Sequence, residues 1–123
     1  MIYTTYFAKL KTLPDNIIPI AICNKIPAWY SGLSYNKLAP KDNFFKQWKI
    51  SGDNNYFITN YLQQILFKLN VQELVEELYT LANVHDNNKD IALVCYEKST
   101  DFCHRHLVSA WLYNNGIACE EYK

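Results

Sequence analysis

The 123-residue chain has no Cys-x-x-Cys pair, only three glycines, no surplus of either charge and no long apolar run. Each absence removes a class of function. A helix that crosses a bilayer needs roughly 20 consecutive apolar residues, so no membrane partner is expected. The N-terminal MIYTTYFAKL lacks a basic start, a sustained apolar segment and a small-residue cleavage site, so it does not read as a signal peptide, and a cytoplasmic protein is expected. Twelve Lys and Arg cancel twelve Asp and Glu. That balance argues against coating a nucleic-acid backbone, which takes a large basic excess, so nucleic acid is not the favoured partner. Cys23, Cys95, Cys103 and Cys119 lack the spacing of a zinc ribbon or a thioredoxin-type motif and are expected to be free thiols.

What remains is the composition of one globular domain, residues 1–123, with half its residues hydrophobic and 20% charged. Ten tyrosines and thirteen asparagines are the unusual counts, and most of the tyrosines belong to the core or its edge. Residues 2–7, rich in β-branched and aromatic side chains, read as a strand. A second strand is expected from about Pro19 to Cys23, with Pro19 marking its start or an edge. Residues 24–55 form a long, aromatic-rich region punctuated by Pro27, Gly32, Pro40 and Gly52, within which 42–49 reads as a helix. Apolar residues at helical spacing run through 56–69, and Asn70 with Glu73 predicts a capped second helix. Residues 83–90 are polar connecting chain. Residues 91–95, apolar on both alternations, predict a strand buried on both faces. Ser99, Thr100 or Asp101 is expected to cap a helix beginning at Phe102 and ending at Gly116, before a closing strand over 117–122. Strands alternating with helices imply a single-domain α/β sandwich with a small, mostly parallel sheet flanked by helices.

The chemistry gathers in CYEKSTDFCHRH, residues 95–106. In an open parallel sheet, ligands bind at the carboxyl ends of the strands. That edge is expected to collect Tyr6, Lys25, Cys95, Glu97 and the helix start at Cys103, His104 and Arg105. Trp29 and Tyr30 stand ready in the long loop. The outward amides of a helix start and a guanidinium fork suit an anion, and Arg105 is the residue most expected to contact it. Glu97 is expected to pair with Arg105, and His106, on another helix face, to be structural or exposed. Cys103, beside His104 in a first helical turn, is a candidate lowered-pKa thiol, whereas Cys95 has the bland alternative of a small core residue. Cys95, Cys103 and His104, with Cys23, are a zinc set in principle, but without tight ligand pairs no metal and no cofactor is expected. The stretch before Cys103 has no glycine to bring backbone close to phosphate, which lowers covalent phosphotransfer.

The strand-loop-helix IALVCYEKSTDFCHRHLVSAWL closely resembles the C-terminal signature of the domain of unknown function 488 family, in which a strand ends in Cys-x-Glu and Cys-His-Arg opens a helix. Those positions are Cys95, Glu97, Cys103, His104 and Arg105. IYTTYFAKL and PAWYSGLSYNKLAP resemble a short branch of the same family. The resemblance implies an α/β fold with a pocket at the motif and a link to nucleotide or nucleic-acid metabolism. Where the family often carries Asp-Val-Arg after its second strand, this chain has Cys23-Asn24-Lys25, so the matching acid is missing.

The leading expectation is a pocket for a small anionic, phosphate-bearing, nucleotide-like ligand, lined by Tyr6, Lys25, Trp29, Tyr30, Cys95, Glu97, Cys103, His104 and Arg105. The alternative is an enzyme using Cys103 as nucleophile, or Glu97 and His104 as acid and base, on a nucleotide or nucleic acid. A third is a structural or interaction protein in which the motif only ties the sheet to its last helix. Oligomeric state is left open.

Overall fold

The computed structural model describes residues 1–83, 89–98 and 101–123. Five strands, β1 (Ile2–Tyr6), β2 (Ile17–Ala21), β3 (Leu33–Ser34), β4 (Asp90–Cys95) and β5 (Cys119–Glu121), form one parallel sheet in the order β3-β2-β4-β1-β5. Among the described residues four α-helices, α1 (Asp42–Ser51), α2 (Asn54–Gln64), α3 (Val71–Leu81) and α4 (His104–Asn114), complete the α/β fold expected. Among the described residues no helix is long and apolar enough to cross a membrane.

Strand alternation divides the interior into two unequal cores. Ile20 and Ile22 of the β2 segment, and Ile91, Leu93 and Cys95 of β4, join the buried faces of all four α-helices. Ala21, Cys23 and Val94, which alternate with them, belong instead to a smaller cluster with Phe7, Leu10 and Tyr30. The helices therefore pack on one face. The other is covered by a 3-10 helix, Phe7–Thr12, and by the loop after β2, so the sheet is not flanked evenly. Each fully buried Leu, Ile or Phe contributes roughly 1.5–3 kcal/mol, so the helical face carries most of the stability.

Local chemistry explains the boundaries. Asp53 and Asn70 cap α2 and α3, their side chains accepting from the amides of Tyr56 and Glu73 at 3.2 and 3.0 Å, caps worth about 1 kcal/mol each. The apolar pattern over 56–69 splits into α2 and a 3-10 turn, Leu66–Lys68. Pro19 lies inside β2 rather than at its start. β3 reaches only Ile20 and Ala21, so the Pro19 stretch has a strand on one side alone and tolerates a missing N–H. The helix expected over 42–49 is α1, and the long region holds further order: it contains β3 and a 3-10 turn Asn36–Leu38, and Asn24 Nδ2 donates to the Pro40 carbonyl at 2.6 Å, folding it back on itself.

The start of the last helix is a correction. α4 begins at His104, with Cys103 in the N-cap position and no side-chain capping bond. Asp101 lies too early to cap it, Ser99 and Thr100 lie outside the described residues, and Phe102 precedes the helix. Gly116 takes the left-handed conformation expected of it, φ +82°, beyond the helix end at Asn114. The closing strand is shorter than expected, Cys119–Glu121.

Candidate functional site

Because all five strands are parallel, the carboxyl ends of β1, β2 and β4 share one edge. Tyr6 is in register with Cys95, and the Ile22 amide donates to the Val94 carbonyl at 3.0 Å. Phe102 docks the approach to α4, its ring meeting Trp48 and Phe57 at centroid distances of 5.5 and 5.2 Å. That anchor sets Cys103 and His104 directly beyond the end of β4.

His104 is buried against the ring of Tyr61, 5.5 Å away, whose own hydroxyl donates to the Leu38 carbonyl. The Ile22 carbonyl, which can only accept, lies 2.6 Å from Nε2, so that nitrogen carries a proton. Nδ1 lies 3.9 Å from Cys95 Sγ and 4.0 Å from Cys103 Sγ. The Cys95 thiol donates towards Cys103, and this bond, with His104 beside it, holds Cys103 well below the usual thiol range despite burial. The nearby Arg105 amide favours the thiolate further, as the positive end of a helix does. Burial first, then the hydrogen bond to Cys103 and the Cys103 charge, push Cys95 up, so it keeps the proton.

Glu97 is half-buried with its carboxyl against Cys103. Burial and the neighbouring sulfur charge raise its pKa above the ordinary carboxylate range. Cys23 hydrogen-bonds to the Lys25 carbonyl at 3.1 Å, and burial, with the charge of Cys103, pushes it up to about 11. A carboxyl and two thiols shifted towards their protonated forms thus lie near one thiolate at a helix start.

Arg105 is placed differently from the expectation. It is fully buried (0% exposed), and its Nε and Nη2 donate to Glu121 Oε1 and Oε2 at 3.2 and 2.9 Å. Nη1 donates to the backbone carbonyl of Glu97 at 2.7 Å. The carboxylate partner is therefore Glu121, not Glu97. Thr4 Oγ1 holds the same Glu121 at 2.6 Å, and the guanidinium lies 5.7 Å from the ring centre of Tyr6. Arg105 locks β1, β5 and the Glu97 turn together beneath the site.

The expected aromatic residues separate. Tyr6 packs under Arg105. Trp29 and Tyr30 join Phe7 at 6.0 and 5.3 Å, and Tyr96, just beyond β4, joins Phe7 at 4.9 Å. Trp29 (63% exposed) and Tyr96 (46%) present open ring surface beside Phe7, while Tyr30 is tied down by donating to the Leu33 carbonyl at 2.6 Å. Gly32 makes room for that ring, since a Cβ there would meet Tyr30 Oη at 2.5 Å. Lys25 is exposed. His106 is half-buried with Nε2 enclosed and unpartnered. Two surface grooves lie elsewhere, one lined by Tyr35, Lys37, Glu73, Glu76 and Glu77, the other along β5, and neither includes the thiol cluster. Glu121 and Tyr61 are the partners that sequence reasoning missed. Neither lies within the local motif, and only the closing strand's acidic pair, Glu120-Glu121, hinted at one.

Residues 6–116 match the family model DUF488-N3a, described as the active DUF488-N3 subclade. No curated protein and no solved structure matches the chain.

Proposed function

The chain belongs to the DUF488 family, and on that footing we propose that it is a thiol-dependent enzyme acting on a small, nucleotide-like substrate, with Cys103 as nucleophile and Glu97 as the proton-transfer group. The observation that carries this reading is the Cys103 sulfur at the start of α4, supported by Cys95 and His104, with the half-buried Glu97 carboxyl shifted towards its protonated form nearby.

The chemistry balances as a hydrolysis. Cys103 Sγ attacks an electrophilic carbon, the leaving group departs with its bonding pair, and Glu97 gives that group its proton. Glu97, now a carboxylate, takes a proton from water. The water oxygen bonds to the carbon, the carbon–sulfur pair returns to sulfur, and the thiolate is restored. The rings of Trp29 and Tyr96 offer a flat substrate group a stacking surface worth about 1–3 kcal/mol. Lys25 is the exposed cation left for a phosphate, since Arg105 is committed to Glu121 and a sulfur anion already stands at the helix start.

The test is intact-mass and product analysis of the purified protein with a panel of nucleotides and nucleotide derivatives. The expected result is a substrate adduct on Cys103 and turnover lost in Cys103→Ser. Turnover that survives both Cys103→Ser and Glu97→Gln would overturn the proposal.

A further inference from the structure

We propose that Cys95, Cys103 and His104 form a binding site for a soft divalent cation of the zinc class, and that its occupancy withdraws Cys103 from reaction. Cys95 closes β4, Cys103 stands at the N-cap of α4 and His104 is that helix's first residue. All three side chains are buried, and their donor atoms lie within 4.8 Å of one another. Two sulfurs and an imidazole nitrogen select zinc and its soft neighbours over magnesium or calcium.

The imidazole is already oriented for the task. Its Nε2–H is held by the Ile22 carbonyl at 2.6 Å, the arrangement by which ligating histidines are usually fixed from behind. Nδ1 lies 3.9 Å from Cys95 Sγ and 4.0 Å from Cys103 Sγ, and Cys95 Sγ is also 3.5 Å from Nε2. With zinc–sulfur bonds of about 2.3 Å and zinc–nitrogen bonds of about 2.0–2.1 Å, tetrahedral geometry asks for a sulfur–nitrogen edge of about 3.6 Å. The present distances exceed that edge by only a few tenths of an ångström, the scale of a side-chain rotation. The ring of Tyr61 walls the imidazole from the helical side, which limits competition from water. Three protein donors leave a fourth tetrahedral position for a water or an added ligand.

The site goes beyond the proposed reaction and does not depend on it, because the cation binds whether or not Cys103 turns over a substrate. The test titrates the reduced full-length protein with cobalt(II) and then zinc, in the absence of any substrate. One equivalent of cobalt is expected to give sulfur-to-metal charge transfer and the strong visible bands of a tetrahedral ion, both bleached by zinc. Cys95→Ser and Cys103→Ser are each expected to weaken binding by roughly 100-fold or more, at least the upper end of what losing an outer partner costs. Zinc is also expected to slow iodoacetamide labelling of Cys103 in the unmutated protein, with a chelator restoring it, a readout that requires no variant to fold. Absence of tetrahedral bands, binding untouched in both variants, or labelling indifferent to zinc would each overturn the proposal. None of these outcomes bears on turnover, so failure here is distinct from failure of the enzyme reading.

Discussion

Cys103 and Arg105 stand two residues apart at the start of α4, and their surroundings are built on opposite plans. Around Arg105 opposite charges are matched: Glu121 takes two of its N–H groups, the Glu97 carbonyl takes a third, and Thr4 steadies Glu121. Around Cys103 groups of the same charge sign are crowded together, with Cys95, Cys23 and Glu97 all pushed towards their protonated forms by burial and by the Cys103 charge. A matched, buried pair resists change and fixes geometry. A crowded set whose proton affinities have been driven apart is ready to exchange protons, which is what acid–base and nucleophilic chemistry needs. The two halves of the Cys-His-Arg motif thus divide the labour, Arg105 positioning and Cys103 reacting.

The largest effect on stability is expected from breaking the matched half. Arg105→Ala leaves Glu121 part-buried without its partner and is expected to lower the unfolding free energy by roughly 3–5 kcal/mol, measured by urea denaturation. Thr4→Val keeps the shape but removes the hydroxyl's bond to a charged group, for a loss of about 1.5–3 kcal/mol. Glu97→Gln sharpens the contrast from the other side. Its removal relieves crowding, so stability is expected to stay within about 0.5 kcal/mol, as at sites outside the core, while turnover falls by about 10²- to 10⁴-fold, the usual contribution of a positioned acid or base. A large loss of stability in Glu97→Gln would erase the distinction between the halves.

How much of this division was legible in the sequence follows from distance along the chain. β4 announced itself because residues 91–95 are apolar on both alternations, and the parallel sheet follows from strands separated by helices. The thiol cluster was legible because Cys95, Glu97, Cys103 and His104 are near neighbours. Glu121 was not: it reaches Arg105 only because β5 pairs with β1 in a register that brings Glu121 beside Thr4, and the nearer Glu97 looked the better partner. β3 was missed because two residues carry no periodicity. The helix start was misread because Ser99, Thr100 and Asp101 have ordinary capping chemistry, whereas the anchoring of Phe102 on Trp48 and Phe57 is a tertiary fact.

The smallest effect is expected at the surface, where matching is present without burial. Lys37 first, and then Tyr35, hydrogen-bonds the Glu77 carboxylate and lowers its pKa. A carboxylate lowered on folding stabilises the protein above its unfolded value, near 4.3, and loses that contribution as pH falls through the folded value. Lys37→Gln is therefore expected to reduce stability slightly at neutral pH and to flatten the acid limb of the stability–pH curve. Added salt is expected to shrink the difference further.

The central claim, that the crowded half makes Cys103 the reactive thiol, is tested most directly by site-resolved iodoacetamide labelling of the native protein at neutral pH. Cys119 is the more exposed thiol, but burial and its acidic neighbours push its pKa up. The account predicts that Cys103 is modified first, ahead of Cys119 and Cys23, and that Cys103→Ser removes the fast phase. Faster labelling of Cys119, or labelling of Cys103 only on unfolding, would contradict it.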